Sequence, residues 1–258
     1  MSKLNLFFRE YGQHGPTLVI LHGLLGSSQN WQRAAKEFEK NFRVLVVDQR
    51  NHGNSPHAAS HTFADLREDI KHFFDEQRLE KAWLLGHSLG GMAAMEFAFH
   101  YPERLSGLII EDIAPRAYQS SSGDILRALC AVDLNAMTSR EQVEARLAQD
   151  IKSSKTRQFL LTNLLRREDR SFAWKANLPA LQEFQNEISV YEPPLGASYS
   201  GKTLFIGGAL SDYRIDHDHD VILRHFPNSK LVMVPKAGHW IHFEALEAFT
   251  AAVMKFIE

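Results

Sequence analysis

At 258 residues, with 44% hydrophobic and 23% charged side chains, the chain has the make-up of one ordinary globular domain, or of one domain carrying an insertion. A formal net charge of −2 gives no electrostatic reason to bind nucleic acid or an anionic membrane, and a single cysteine, Cys130, excludes an internal disulfide and a Cys-based metal centre. No run approaches the roughly 18 apolar residues of a membrane span and no signal-peptide pattern opens the chain, so a cytoplasmic protein is expected.

In chain order, LNLFFREYG (4–12) reads as an edge strand or hairpin. TLVILHG (17–23) is a compact apolar run of the kind that forms a strand buried on both faces. It leads into LHGLLGSSQNW (21–31), and a His-Gly pair directly after a strand commonly opens a loop that lends a backbone N–H to an oxyanion. Leu24 is the expected donor; its apolar side chain is no objection, because only the backbone acts. His22 is expected to pin the loop. SSQNWQRAAKEFEKN (27–41) has helical character, and FRVLVVDQ (42–49) is another buried strand. In TFADLREDIKHFFDEQ (62–77), Phe63, Leu66, Ile70, Phe73 and Phe74 share one helical face, while Asp65, Arg67, Glu68 and Lys71 fall mostly elsewhere. Thr62 suits the N-cap. His61, His72 and His100 are expected on the surface with no special role.

AWLLGHS (82–88) is a strand that runs into Gly-His-Ser-Leu-Gly and then an apolar helix. A Gly-x-Ser-x-Gly between strand and helix is the pattern of a nucleophile elbow. Gly86 and Gly90 stand where side chains would collide as the chain reverses, and Ser88 sits at the tip. The N–H groups of the helix beginning at Leu89 face the same point, which suits an anion. Leu89 is therefore the second expected oxyanion donor.

LSGLIIED (105–112) is a further strand, after which the alternation of strand and helix breaks. From Pro115 to about Ser200 only helical patterns are legible: SSGDILRALCAVDL (121–134), SREQVEARLAQDI (139–151), KTRQFLLTNLLRR (155–167) and NLPALQEFQNEI (177–188). About 85 residues is too long for a bare loop, so a folded helical cap is expected over 116–200, inserted into a core made of 1–115 and 201–258. Leu126, Leu129, Phe159, Leu160, Leu164, Phe172 and Trp174 are expected to divide between cap core, packing on the sheet and an acyl pocket.

Strands resume with KTLFIGGA (202–209) and SKLVMVPKA (229–237). Between them SDYRIDHDHD (211–220) alternates carboxylate and imidazole, but adjacent ligands on one surface run rarely converge on an ion, so a solvated run and no metal are expected. VPKAGHWIHFE (234–244) follows the last strand. His239, carried on a loop after an Ala-Gly pair, is the expected general base, since imidazole titrates near neutrality. His242 is expected to be structural, and HFEALEAFTAAVMKFIE (242–258) reads as an amphipathic helix. The alternation as a whole is that of an α/β protein with a mainly parallel sheet.

The motifs HGLLGSSQNW, VVDQRNHGNSPH, GHSLGG, EDIAP and AGHWIH together resemble the α/β-hydrolase superfamily over nearly the whole chain, and most closely the YbfF-type esterases and the ABHD-eleven-like hydrolases. The second is the most discriminating, because many superfamily members have Arg-Gly-His-Gly where this chain has Arg50-Asn51-His52-Gly53. The resemblance implies the α/β-hydrolase fold with a helical cap, no cofactor, and serine esterase or thioesterase activity on small acyl esters or thioesters. It also supplies the third triad member. Asp212 stands after the penultimate strand, where many α/β hydrolases keep their acid. The YbfF-like group uses an aspartate after the strand that follows the elbow, which is Asp112 here. Asp112 is the expected acid and Asp212 the alternative. Glu111 should point to the opposite face of the sheet.

The expected reaction is acyl transfer to Ser88 and then to water. Carbon–carbon bond hydrolysis or perhydrolysis on the same triad is the rival chemistry, and a hydrolase-like ligand-binding protein with an unused triad is the rival from another class.

Overall fold

In the computed structural model, which describes residues 3–118 and 122–258, the apolar runs all form strands of one sheet. They are β1 (Phe8–Tyr11), β2 (Thr17–Leu21), β3 (Arg43–Val47), β4 (Ala82–His87) and β5 (Leu105–Glu111); after a two-stranded hairpin of β6 (Leu164–Arg166) and β7 (Phe172–Trp174) come β8 (Thr203–Gly208) and β9 (Ser229–Val234). The seven-stranded sheet has the order β1-β3-β2-β4-β5-β8-β9 and is parallel apart from the edge strand β1. Alternate side chains along each strand feed opposite layers. Leu18 and Ile20 pack with Trp31, Phe38 and Phe249, whereas Val19 and Leu21 pack with Phe74, Met95 and Phe97. Because β2 lies between β3 and β4, the winding direction reverses there, and the loops after β2 and β4 splay apart at the carboxyl ends of the strands.

Helices α1 (Gln32–Phe38), α2 (Phe63–Glu76) and α3 (Leu89–His100) cover the two faces. Thr62 caps α2: its hydroxyl accepts from Asp65 N at 3.0 Å, and the Asp65 carboxylate accepts from Thr62 N at 3.2 Å. Asp65 departs from the sequence reading. With Asp69 it is buried against the fully buried Arg50, at 3.1 Å from Asp65 and at 2.5 and 2.8 Å from Asp69. A buried guanidinium requires such carboxylates, so this side of α2 is not a solvated face.

Between β5 and β8 stand α4 (Ser122–Cys130), α5 (Arg140–Asp150), α6 (Ser154–Leu160) and α7 (Leu178–Ser189). Leu126, Leu129, Val143, Leu147, Leu160 and Leu181 form a separate apolar cluster, which Leu25 enters from the loop after β2. Position 121, the first of the segment read as SSGDILRALCAVDL, lies outside the described residues. The purely helical reading of this region needs one correction, since Leu164–Arg166 pairs antiparallel with Phe172–Trp174. The helix stops at Leu160 and tightens into a single 3-10 turn over Leu161–Asn163, where Asn163 Nδ2 donates to Leu25 O at 2.7 Å. Short apolar runs such as LLTNLL fit either period, and here the pairing partner decides.

After β8 the acidic run enters α8 (His219–His225), an element absent from the sequence reading. Two of its carboxylates are paired, Asp218 with Arg116 at 2.7 Å and Asp216 with Arg214 at 3.3 Å. The C-terminal helix is broken at Ala245 (φ −138°, ψ 54°) into α9 (Ile241–Glu244) and α10 (Leu246–Ile257). No helix among the described residues is long and apolar enough to cross a membrane.

Candidate active site

The turn from β4 into α3 is as tight as its glycines imply. A Cβ on Gly86 would lie 2.2 Å from the Gly90 carbonyl oxygen, and one on Gly90 would lie 2.5 Å from that of Leu21. Ser88, at the tip, has φ 52° and ψ −118°, a conformation that costs a non-glycine residue of the order of 1–3 kcal/mol. Surrounding structure holds it there: Ser88 N donates to Glu111 O at 3.0 Å, and Ser88 O accepts from Met92 N at 3.0 Å.

On the neighbouring strand, Asp112 is also held at positive φ (54°), at the end of β5. Its side chain is fully buried, and its carboxylate accepts from Gly208 N at 2.9 Å and from the Ser211 hydroxyl. The same carboxylate meets His239 Nδ1 at 2.7 Å. That contact requires the proton on Nδ1, which leaves Nε2 free to take a proton. Tyr213 stacks on the His239 ring at 4.1 Å and 8°. Asp212, the alternative acid, is exposed at the rim of the same cavity, and Asp112 already occupies His239 Nδ1.

A second histidine–carboxylate pair lies beneath the first. Glu111 projects to the other face of the sheet and accepts from both the backbone N and Nδ1 of His242, each at 2.9 Å. His242 stacks on Trp31 at 4.0 Å and 10°. His87 lies between the two pairs and donates from Nε2 to the His239 carbonyl at 2.9 Å, thereby tying the His239 loop to the elbow. Burial holds His87 well below its ordinary pKa, so it remains neutral. His87, Glu111 and His242 are the one group among the described residues with metal-ligand spacing. Glu111 and His242 Nδ1 spend their donor atoms on each other, and His87 Nε2 is spent on His239, so the cluster as it stands is a hydrogen-bond network.

Leu89 is the first residue of α3, so its N–H has no intrahelical partner. Leu24 lies in a turn closed by Gly26 N donating to Gly23 O at 2.9 Å, with Leu25 at φ 59°. His22 anchors this turn as expected. It accepts from Gln49 N at 3.0 Å and donates to Gly23 O at 2.8 Å, and burial lowers its pKa. The Arg50–His52 loop has a further role invisible in sequence. Asn51 adopts φ 64°, its carbonyl accepts from Asn177 N at 3.0 Å, and its side-chain oxygen accepts from Asn177 Nδ2 at 3.0 Å. An asparagine tolerates this left-handed backbone and ties the loop to the start of α7.

His72 and His100 lie toward the surface, but His61 is buried, contrary to the sequence reading. It packs edge-on against Phe184 at 4.6 Å and its Nδ1 accepts from Asn51 Nδ2 at 3.2 Å. Burial, reinforced by the Arg50 charge, lowers its pKa to about 3. The missed signal was its neighbour Phe63: the first turn of α2 is sealed by Phe184 of α7, and His61 is sealed with it.

Ser88 lines two cavities. One, of about 320 Å³, has His239, Trp240 and Phe159 in its walls and opens beside a groove of about 450 Å³ that shares Phe159 and Trp240. The other, of about 40 Å³, shares Leu24, Ser88, Ser122 and Tyr213 with the first and extends against Leu89, Met92 and Ile188. Of the bulky residues expected to be shared between cap core and pocket, Leu126 and Leu129 are internal core, while Phe159 and Leu160 reach the larger cavity.

Residues 16–246 match the family model described as alpha/beta hydrolase fold. The chain is 35% identical to the Mus musculus sn-1-specific diacylglycerol lipase ABHD11, covering 94% of this chain and 81% of that protein. It is 30% identical to the Escherichia coli esterase YbfF, covering 93% and 92%. Among solved structures, one described as a marine microorganism esterase superposes with a TM-score of 0.95 at 37% identity, covering 98% of this chain and all of that one. The chain belongs to the α/β-hydrolase fold family, among the esterases of the YbfF and ABHD11 group.

Proposed function

We propose that this esterase hydrolyses acyl esters through a covalent acyl-enzyme on Ser88, with His239 as general base and acid and Asp112 as its orienting carboxylate. The observation that carries this reading is the 2.7 Å contact between a fully buried carboxylate and His239 Nδ1, on a loop that His87 ties to the elbow. With Nδ1–H engaged, Nε2 takes the Ser88 proton as the hydroxyl attacks the substrate carbonyl. Asp112 stabilises the imidazolium that forms. The N–H groups of Leu24 and Leu89 receive the oxyanion, and such donors contribute about 3–4 kcal/mol each when pre-organised. His239 then protonates the leaving alcohol or thiol, and water repeats the sequence on the acyl group. Residues 116–200 act as the cap: α6 supplies Phe159 to the wall of the larger cavity, and Asn177 anchors the segment to the Asn51 loop.

Turnover of a p-nitrophenyl ester by wild type and Ser88→Ala tests the proposal. The hydroxyl is the only nucleophile in the scheme, so the variant should fold and lose at least about a thousandfold in kcat. Turnover within about tenfold of wild type would assign the nucleophile elsewhere.

A further inference from the structure

The two cavities at Ser88 differ about eightfold in volume, and only one of them has His239 in its wall. The chemistry proposed above, on which this inference rests, gives that difference a meaning. The tetrahedral carbon on Ser88 has four bonds: to the serine oxygen, to the oxyanion facing Leu24 and Leu89 N–H, to the leaving oxygen and to the acyl carbon. The leaving oxygen must take a proton from His239, so the alcohol lies in the cavity that His239 lines. The acyl chain is left with the remaining direction, into the small cavity.

We propose that the chain is selective for short acyl groups, up to about butyryl, carried on large apolar or aromatic alcohols or thiols. Roughly 10–15 Å³ of such space holds one water-sized group. The acyl side, at about 40 Å³, therefore seats roughly three groups beyond the carbonyl carbon, and the side bearing His239, at about 320 Å³, seats several times more. Several residues in the wall of the small cavity are themselves tightly packed. Met92 and Ile113 are each 2% exposed, and Ile188 and Tyr118 are buried. Tyr118 is held through its hydroxyl, which accepts from Ala114 N at 2.8 Å, and through Arg116 over its ring at 4.0 Å. The larger cavity lies beside a groove lined by Phe159, Trp240 and the exposed Phe243, which suits a bulky apolar leaving group.

Two substrate series test this on the intact chain: p-nitrophenyl acetate, butyrate, hexanoate and octanoate, and acetates of methanol, hexanol and naphthol. In wild type, kcat/KM should fall at least about tenfold from butyrate to hexanoate, because methylenes that no longer fit each cost of that order. It should rise from methyl to naphthyl acetate. Ile188→Ala or Met92→Ala should raise the hexanoate-to-butyrate ratio by about tenfold, whereas Phe159→Ala should leave that ratio alone and alter the alcohol series. The wild-type series stands even if one of these variants does not fold. Hexanoate and octanoate turned over as fast as butyrate, or a ratio that moves with Phe159→Ala and not with Ile188→Ala, would overturn the assignment of the small cavity. Loss of all turnover in Ser88→Ala alongside such a profile would leave the reaction standing and remove only the selectivity. Turnover that survives Ser88→Ala would remove both.

Discussion

Glu111 and Asp112 are chain neighbours whose carboxylates serve two different histidines on opposite sides of the sheet. Glu111 binds His242 Nδ1 at 2.9 Å within the layer of Trp31 and Phe249, and Asp112 binds His239 Nδ1 at 2.7 Å beside the cavity at Ser88. The strand ends between them, at Glu111, and Asp112 at positive φ turns its carboxylate to His239. Under the proposed mechanism, two adjacent acids are divided between stability and chemistry.

Their conservative variants should separate those roles. Asp112→Asn keeps the shape and removes the charge that fixes the His239 tautomer, so kcat should fall by about four orders of magnitude in protein that is still folded. Asp212→Asn, at the exposed rim, should stay within about tenfold of wild type. A large loss at position 212 and a small one at 112 would exchange the two aspartates.

Glu111→Gln should behave in the reverse manner. It weakens a buried, doubly accepting carboxylate, which is worth of the order of 2–3 kcal/mol, and leaves every group around the reacting carbon in place. A lowered urea midpoint with kcat within about tenfold is the expected pair of results, measured on the same preparation. Unchanged stability would mean that the Glu111–His242 pair holds nothing together.

Stability should fall as the solution is acidified below neutrality. The folded-state pKa of His61 is about 3, against an ordinary value of 6.5 in the unfolded chain. The unfolded chain therefore takes up this proton near pH 6.5 and the folded one does not until about pH 3, so stability is complete above 6.5 and drains away between those values. One such group gives a slope of up to about 1.4 kcal/mol per pH unit. His52 and His87, also held low by burial, add to it in the same direction. Urea titrations between neutrality and mild acid should show this slope, and His61→Phe should flatten it by about one proton's share. Equal slopes in the two proteins would mean that His61 is not buried neutral.

Most of the sheet was legible because its strands are buried on both faces and read as unbroken apolar runs, with breaks at glycine or proline. The elbow was legible for a related reason: glycines that weaken both strand and helix need an explanation, and Gly86 and Gly90 find one in backbone carbonyls barely 2.5 Å from where their Cβ atoms would be. What stayed hidden depended on partners distant in sequence. Asp65 reads as a residue off the apolar face of its helix until Arg50 is placed beside it, and His61 looks exposed until Phe184 covers it. The β6–β7 hairpin was hidden because Leu164–Arg166 alone carries no period long enough to distinguish strand from helix. For the acid, residue identity allowed Asp112 or Asp212, and only the fold shows which of them meets His239 Nδ1.

The most direct test of the mechanism is to find its nucleophile. Incubation with a fluorophosphonate, followed by digestion and peptide mass mapping, reports which side chain is the activated nucleophile. A single adduct on Ser88 is expected, formed rapidly in wild type, slowed by about four orders of magnitude in Asp112→Asn and absent in Ser88→Ala. An adduct on another residue, or labelling at the wild-type rate without Asp112, would contradict the mechanism at its centre.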